Sequence, residues 1–317
     1  MYIIRGSKTT QILKVETHSH NIFSNYHTNS NRIPFDCGVT IEQQLEKAYL
    51  EKINVLFITN HNTLDGYHQI LEFKKNHSKY DNIHVYPAEE VTVENGGHVL
   101  AYGIYKEIKS GMSLQETLDE IKKQNAISCA AHPFAVSNGI REGARYCDLM
   151  ESFNSNNVDH YSNIVADKFA KEHNMISIAG SDSHVASTIG RCFNRVESDN
   201  NIDSLMHSMQ RGKFIIQKTD YVSESEMYEH AHYVLSSSRD SILSSLNESH
   251  KKIYPIVKWV LDSFISHPNF KFWNLLGSLA LYLSKRASKK VNINGYNPKV
   301  FENRSWKTLI SLSLTPY

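Results

Sequence analysis

Two pairs of residues with metal-binding side chains are each separated by a single residue. His18 and His20 follow the strand-like run at 12–16, and Asp182 and His184 follow the apolar run at 175–178. In an extended backbone, residues i and i+2 point to the same side. Each pair can therefore present two ligands to one pocket.

Four further candidate ligands lie beside short apolar runs: His61, Glu90, His98 and His132. Imidazole nitrogen and carboxylate oxygen together suit zinc, manganese or iron rather than calcium. The full set is too large for one four-coordinate ion, so we predict two to three divalent ions. Two ions about 3.5–4 Å apart can share a bridging hydroxide near neutral pH and hold phosphate oxygens. The set therefore favours hydrolysis of a phosphate ester without a protein nucleophile.

Short apolar runs alternate with amphipathic stretches and must position these ligands. Runs typical of strands lie at 12–16, 55–59, 83–86, 98–103, 126–131, 148–154, 175–178 and 213–217. Helical stretches lie at 40–53, 64–78, 113–124, 159–173 and 203–211, and Thr40 and Ser113 begin two of them with capping boxes. The alternation predicts an α/β fold of mostly parallel strands, and we expect a barrel with its site at the C-terminal strand ends. His98, at the start of its run, does not fit that placement.

Composition narrows the class of protein. The chain has 317 residues, of which 21% are charged, and its formal net charge is +1. A large basic surface for nucleic acid is therefore not expected, although a local patch stays open. The four cysteines have no CxxC spacing, so neither a zinc ribbon nor a disulfide framework is expected. We expect a cytoplasmic protein, because no signal-peptide core and no run of about eighteen apolar residues is present.

The order and spacing of the candidate ligands resemble the PHP family of metal-dependent phosphoesterases, named for polymerase and histidinol phosphatase. Its opening Asp-x-His-x-His matches 16–20, its Thr-Asp-His-Asp/Asn matches 59–62, and its Pro-Gly-x-Glu matches 87–90. Its later histidines match His98 and His132, and its closing Gly-Ser-Asp-x-His is intact at 180–184. The resemblance covers roughly residues 12–217 and is closest to the small stand-alone members.

The resemblance implies a distorted seven-stranded (β/α)7 barrel with a C-terminal helical extension and a trinuclear site. The implied ligands of the three ions are, in order, His18, His20, Glu90 and Asp182; Glu90, His98 and His132; and His61 with His184. Asp36 is the expected addition to the third set, with His27 as a rival. Glu90, Asp182 and His184 are expected to act in catalysis through the metal-bound hydroxide.

Two departures from the family pattern lie beside these ligands. Glu16 stands where relatives have Asp before the first histidine pair, and Asn60 stands where they have Asp before His61. Both positions are expected to orient ligating imidazoles. Because Asn60 carries no negative charge, we expect the third ion to bind more weakly.

Two arginines near the motifs are candidate phosphate clamps, since a guanidinium matches phosphate geometry. Arg141 follows the His132 turn and Arg191 follows the Asp182–His184 motif, and either could instead be solvated or paired with a carboxylate. Glu151 ends a strand and could enter the site, but a structural role is favoured.

From about residue 221 the strand pattern gives way to a helical one. We place a domain boundary there, between a barrel at 1–220 and a helical extension at 221–317. Segment 272–290 joins a strongly apolar run to four basic residues. This pattern indicates either a helical cap or oligomer contact, or an element at a membrane surface.

The predicted activity is hydrolysis of a phosphate mono- or diester in a nucleotide, an oligonucleotide or a small phosphorylated metabolite. Two alternatives stay open. One is a metal-stabilised, non-catalytic binding or regulatory module that acts through the C-terminal tail. The other is hydrolysis of a carbonyl ester or amide, which metal-bound hydroxide also attacks. The loops carry no recognisable code for the substrate, and no pattern selects an oligomeric state.

Overall fold

One sheet organises the protein, whose structure is a computed structural model that describes residues 11–26 and 36–295. In the described ranges the strands are β1 (Gln11–Ser19), β2 (Val55–Ile58), β3 (His84–Thr92), β4 (His98–Tyr102), β5 (Ile127–Ala130), β6 (Leu149–Asn154), β7 (Ile176–Gly180), β8 (Cys192–Ser198) and β9 (Ile215–Thr219). Their order in the sheet is β7-β6-β5-β4-β3-β2-β1-β8-β9. The predicted strands are present with shifted ends, whereas β8 was not predicted because polar residues interrupt its apolar pattern.

Strand direction explains the exception of His98. Strands β1, β2 and β3 are parallel, as are β5, β6 and β7, but β4 runs antiparallel between β3 and β5. The start of β4 therefore lies at the edge where its neighbours end, and His98 pairs with Thr92 near the end of β3. Strands β8 and β9 add two more antiparallel pairings, so the pairings are more mixed than the expected parallel set.

The sheet curls into a nearly closed barrel because β7 returns to β1. The His20 N–H donates to the Ser183 carbonyl at 3.1 Å, and the Asp182 N–H donates to the His18 carbonyl at 2.8 Å. Within β7, Ala179 is bound by the buried side chain of Asn194 on β8. Asn194 accepts from the Ala179 N–H at 2.9 Å and donates to the Ala179 carbonyl at 2.7 Å. The predicted distorted α/β barrel with C-terminal helices is confirmed.

Five helices cover the barrel: α1 (Ile41–Leu50), α2 (Asp65–Lys74), α3 (Leu114–Lys123), α4 (Tyr161–Glu172) and α5 (Ile202–Gln210). The capping boxes at Thr40 and Ser113 are both formed, as predicted. Leu13, Val15, Phe57 and Tyr102 belong to one buried apolar cluster formed largely by strand residues. The Tyr102 hydroxyl donates to the Thr17 carbonyl at 3.0 Å, which satisfies its polar atom inside this core.

Three further helices follow, as the helical pattern after residue 221 predicted: α6 (Glu224–Ser249), α7 (Tyr254–Ser266) and α8 (Lys271–Asn292). Helix α6 is fixed by an ion pair between Glu226 and Arg191. Helix α8 is fixed by the Ser288 hydroxyl, which donates to Asp159 Oδ1 at 2.6 Å. The helices therefore pack on the barrel, while the domain boundary at 220 stays a prediction.

Candidate metal centre

The C-terminal edge of the barrel brings the predicted ligands into one buried cluster. Three sets of side chains each offer ligand atoms that lie within 4.8 Å of one another. The sets are His18, His20, Glu90 and Asp182; His20, Asp36, His61 and His184; and His61, Glu90 and His98.

The three sets resemble the predicted partition with two changes. The first set has the same members as predicted. The set around Asp36 also includes His20, and the set around His98 includes His61 where His132 was expected. His132 still lies against the cluster, with its Nε2 2.9 Å from Glu90 Oε1. His27, the rival of Asp36, lies outside the described residues.

Glu90 is the centre of the cluster, because its two oxygens face different histidines. Its Oε1 lies 2.8 Å from His98 Nδ1, and its Oε2 lies 3.2 Å from His20 Nε2 and 3.3 Å from His61 Nδ1. A carboxylate in this position can serve two adjacent ions at once.

Three imidazoles are held by the nitrogen that faces away from the cluster. His18 Nδ1 lies 2.8 Å from Glu151 Oε1, and His20 Nδ1 lies 3.0 Å from the Ser24 hydroxyl. His184 Nδ1 donates to the Asp182 carbonyl at 2.9 Å. Such contacts fix the orientation of a ligating ring and leave its Nε2 for a metal.

Glu151 does more than the structural role that the sequence favoured. Besides His18, its carboxylate accepts the His132 backbone N–H at 2.8 Å and the Asn154 side-chain amide at 2.9 Å. A Cβ atom at Gly180 would lie 1.9 Å from Glu151 Oε1 and 2.6 Å from His18 Cβ. The glycine of the closing motif is therefore required by the close approach of these two side chains.

Glu16 and Asn60 do not orient imidazoles, which corrects the expectation. Glu16 accepts the backbone N–H groups of His18 and Ser181, both at 3.2 Å. It therefore connects the segment that carries the first histidine pair to the segment of the closing motif. Burial raises the pKa of Glu16 to about 7. Asn60 exchanges hydrogen bonds with Asn21, donating to its Oδ1 at 2.7 Å. The missing charge at Asn60 therefore does not act through a direct contact with His61.

Two of the predicted ligands adopt a left-handed backbone conformation. The φ angle is 28° at His132 and 51° at Asp182. This region is unfavourable for residues with a Cβ atom and is enriched at functional sites. The backbone of both turns is therefore held in place by surrounding contacts, including the bond from His132 N–H to Glu151.

Opposite charges dominate the electrostatics of the cluster. Burial disfavours ionisation of Glu90, but the imidazoles of His98, His61 and His18 outweigh it and hold the pKa of Glu90 well below its usual range. Burial likewise disfavours the charged form of His184, but Asp36 and Asp182 raise its pKa to about 10. Buried, ionised carboxylates are stabilised by nearby positive charge. Protonated imidazoles supply this charge in the absence of a metal cation.

The residues present fit divalent ions. Asp36 Oδ2 and His61 Nδ1 are buried and have no hydrogen-bond partner among the described residues. Buried polar atoms are normally paired, and both residues belong to the set that includes His184. The nitrogen and oxygen donors match zinc, manganese or iron.

Both arginines predicted as phosphate clamps contact the C-terminal helices instead. Arg191 pairs with Glu226 of α6. Arg141 donates to Asn292 Oδ1 at the end of α8 at 2.8 Å, and its guanidinium lies 5.3 Å from the centre of the Phe134 ring. Contact of either side chain with phosphate would require release of its present partner.

Sequence comparisons found one family-model match and two similar archaeal proteins. A family model described as PHP-associated matches residues 160–214, the segment that contains Asp182 and His184. Two uncharacterized proteins of Methanocaldococcus jannaschii are similar in sequence. MJ0417 is 26% identical over 191 residues, which is 57% of this chain and 69% of that protein. MJ1587 is 29% identical over 167 residues, which is 50% of this chain and 93% of that protein.

Solved structures show likenesses at low sequence identity. PsfC from Pseudomonas syringae is 15% identical, with a TM-score of 0.49, over 71% of this chain and 99% of that one. Endonuclease Q bound to a duplex with an abasic lesion is 15% identical, with a TM-score of 0.47, over 63% of this chain and 57% of that one. A protein from Bifidobacterium adolescentis, assigned as a metal-dependent phosphoesterase, is 14% identical, with a TM-score of 0.41, over 54% of this chain and 87% of that one.

The matched segment carries the closing Gly-Ser-Asp-x-His motif, and the barrel brings the ligands of the earlier motifs to the same cluster. The order of the motifs, their convergence and the PHP-associated match agree. These observations support a protein of the PHP type, with the PHP-associated model matched over residues 160–214.

Proposed function

We propose that this protein is a metal-dependent phosphoesterase that hydrolyses a phosphate mono- or diester. The observation that carries the proposal is the sharing of ligands between neighbouring sets, because Glu90, His20 and His61 each belong to two of them. Shared ligands hold ions close together, and paired ions are the usual arrangement for displacement at phosphorus. The PHP-associated match at 160–214 and the resemblance of the ligand motifs to the PHP family support phosphoester hydrolysis in general.

Divalent ions bound here would supply a water of lowered pKa and positive charge beside the phosphate oxygens. The residues of the chain supply orientation. Glu151, Ser24 and the Asp182 carbonyl hold three imidazoles before substrate arrives. Preorganised groups of this kind need little rearrangement as charge develops in the transition state. We assign the catalytic roles to Glu90, Asp182 and His184, with two to three ions of manganese, zinc or iron.

A cytoplasmic enzyme that contacts a membrane through 272–290 is a further proposal. In the described part of the chain, no helix is both long and apolar enough to cross a membrane. Helix α8 exposes apolar side chains at Phe272, Leu275, Leu276, Leu279 and Tyr282. Lys290 of the same segment is buried and therefore cannot contact an anionic surface. Sedimentation with anionic vesicles tests this proposal, and loss of binding in Leu275→Ser is the expected outcome.

The proposed activity is tested by metal analysis and hydrolysis on one purified sample of the full chain. We expect two to three metals per chain and release of phosphate or alcohol from chromogenic phosphoesters after loading with Mn²⁺ or Zn²⁺. His18→Ala and Asp182→Ala should each lower turnover at least 100-fold. His207→Ala, at an exposed histidine outside the cluster, is the matched control and should have the turnover of the wild type.

Two results would contradict this function. Bound metal without hydrolysis of any mono- or diester would favour the non-catalytic module. A chain that holds no metal in the presence of excess Mn²⁺ and Zn²⁺ would remove the basis of the proposal.

A further inference from the structure

Two cavities border the metal centre and share part of their lining. The α8 cavity, of about 560 Å³, lies between His132 and Asp182 on one side and helix α8 on the other. The α6 cavity, of about 440 Å³, lies between Asp182 and His184 on one side and helix α6 on the other. Asn156, Val158 and Asp182 line both cavities. Each volume is in the range of small-molecule sites.

The α8 cavity combines amides with an apolar wall. Asn138, Asn156 and Asn157 line it on the barrel side, and the Asn157 amide also donates to Asn163 Oδ1 at 2.8 Å. Ala280 and Leu283 line it on the helix. Its one carboxylate outside the metal centre, Asp159, already accepts the hydroxyl protons of Ser162 and Ser288. The cavity therefore suits an uncharged group that offers hydrogen bonds along one edge and an apolar face on the other.

The α6 cavity is mainly apolar. Met227, Val234 and Leu235 line it on the helix. Its two polar side chains from α6 are already engaged, since Glu226 pairs with Arg191 and His230 Nε2 donates to the Asp36 carbonyl at 2.7 Å. This cavity suits a second uncharged group.

Outside the histidines of the metal centre, neither cavity offers a cationic side chain among the described residues that line it. No lysine or arginine is among the described residues that line either one. A ligand with additional phosphates would need such residues, as would an oligonucleotide whose backbone is followed by the protein. The negative charge of the ligand is therefore expected only at the metal centre, where the two cavities meet.

On this basis, and resting on the proposed function, we infer that the substrate is a phosphodiester of two uncharged organic groups. One group occupies the α8 cavity, the other occupies the α6 cavity, and phosphorus lies beside Asp182. Hydrolysis adds one water, whose oxygen forms a new bond to phosphorus while the bond to one organic oxygen breaks. One proton of the water goes to the leaving oxygen, and the other goes to the phosphate or to solvent. The second group stays on the monoester product.

The test narrows each cavity separately in the full-length, Mn²⁺-loaded protein. Ala280→Phe narrows the α8 cavity, and Ala231→Phe narrows the α6 cavity. Ser278→Phe on α8 and Asp240→Phe on α6 place the same ring at exposed positions outside the cavities. The substrates are bis(4-nitrophenyl) phosphate and 4-nitrophenyl phosphate, and calorimetry with diphenyl phosphate measures binding without turnover.

We expect both cavity variants to lower kcat/KM for the diester at least 10-fold and to weaken diphenyl phosphate binding by a similar factor. The two exposed variants should stay within about 2-fold of the wild type. A monoester has one organic group, so at most one cavity variant should impair its hydrolysis.

Several results would overturn the inference. Hydrolysis of the monoester but not the diester by the wild type would do so while leaving the phosphoesterase function in place. Wild-type kcat/KM for the diester in either cavity variant would show that this cavity holds no ester group. Failure of the loaded wild type on both substrates, without binding of diphenyl phosphate, would count against the inference and the proposed function together.

Discussion

At the scale of single residues, Glu151 shows how far the metal centre depends on a side chain outside the three ligand sets. Its carboxylate holds the His18 ring through Nδ1 and the backbone of His132 through N–H. Two predicted ligands from different strands are thus positioned by one buried group. The sequence did not reveal this role, because His18 and Glu151 are 133 residues apart and no motif joins them.

Glu151→Gln tests this positioning role. The amide keeps the size of the side chain but cannot offer a carboxylate to the His18 N–H, so the basicity and orientation of His18 both suffer. We expect Mn²⁺ affinity and turnover to fall about 10–100-fold, with the fold retained by circular dichroism. Glu142→Gln, at an exposed glutamate outside the ligand sets, is the control. Wild-type affinity in Glu151→Gln would contradict the role.

Glu89 gives a pH prediction, because it lies beside Glu90 in the chain but has no contact with the ligand sets. Burial raises the pKa of Glu89 to about 8, although its carboxylate accepts the Ile108 N–H at 3.0 Å. Because the folded-state pKa lies above the unfolded value near 4.5, the folded chain holds one more proton between these values. The stability from this group is complete below about pH 4.5 and is lost as the pH rises through about 8.

Glu89→Gln should therefore gain stability relative to the wild type by about 1.4 kcal/mol per pH unit across that window. Urea unfolding at pH 5.5 and pH 7.5, with the same excess of Mn²⁺, measures the change. Glu94→Gln, at an exposed position on the following turn, should track the wild type at both values. A constant difference between Glu89→Gln and wild type would show that Glu89 is ionised throughout.

At the scale of the elements, the alternating pattern predicted the strands and helices but not all of their directions. Apolar runs and capping boxes are local signals, so β1 to β7 and the helices between them were found from sequence. The reversal of β4 depends on its pairing with β3 and β5. Strand pairing depends on contacts between distant segments and cannot be predicted from the pattern of one apolar segment. The sequence therefore did not explain the position of His98 at the start of its strand.

Closure of the barrel gives a stability prediction. Asn194 replaces ladder hydrogen bonds between β7 and β8 by binding both the N–H and the carbonyl of Ala179. Asn194→Ala would remove the acceptor of the buried Ala179 N–H, while the Ala179 carbonyl would keep the Thr17 hydroxyl as a donor. We expect a loss of about 1–3 kcal/mol in the free energy of unfolding. Arg195→Ala, exposed on the same strand, should cost less than about 0.5 kcal/mol. Similar urea midpoints for the two variants would contradict this account of closure.

Helix α6 contributes to the metal centre through His230, which donates to the carbonyl of Asp36. His230→Ala should weaken the set that contains Asp36 while leaving the set around His18 intact. We expect metal analysis to show about one ion fewer per chain at limiting Mn²⁺, and His230→Gln, which keeps a donor, to recover part of the loss. His232→Ala removes a contact between α6 and Ile265 and is the control for helix docking alone. Loss of every ion in His230→Ala would indicate general disruption instead.

At the scale of the whole molecule, the helices after residue 220 form walls of the site. An amphipathic pattern tells which face of a helix is buried but not what it is buried against. The sequence therefore predicted helices there without their contacts to Arg141, Arg191 and Asp36. Arg141 and Arg191 follow the metal-binding motifs in the sequence, but in the structure they contact α8 and α6 respectively.

The bond from His230 to the Asp36 carbonyl also couples ligand occupancy to local opening of the chain. An ion bound by Asp36 stabilises the state in which α6 packs on the segment around Asp36. By linkage, the packing of α6 strengthens ion binding by the same free energy. Where the ion binds only when α6 is packed, occupancy at 100 times the dissociation constant contributes about 2.7 kcal/mol, or about a 100-fold slowing of amide hydrogen exchange in α6. Exchange measured by mass spectrometry with Mn²⁺ and with chelator should show that slowing across Glu224–Ser249. Equal exchange rates with Mn²⁺ and with chelator would show that the opening of α6 does not depend on metal binding. If the slowing is seen, a long helix far along the sequence becomes a reporter of how much metal the protein carries.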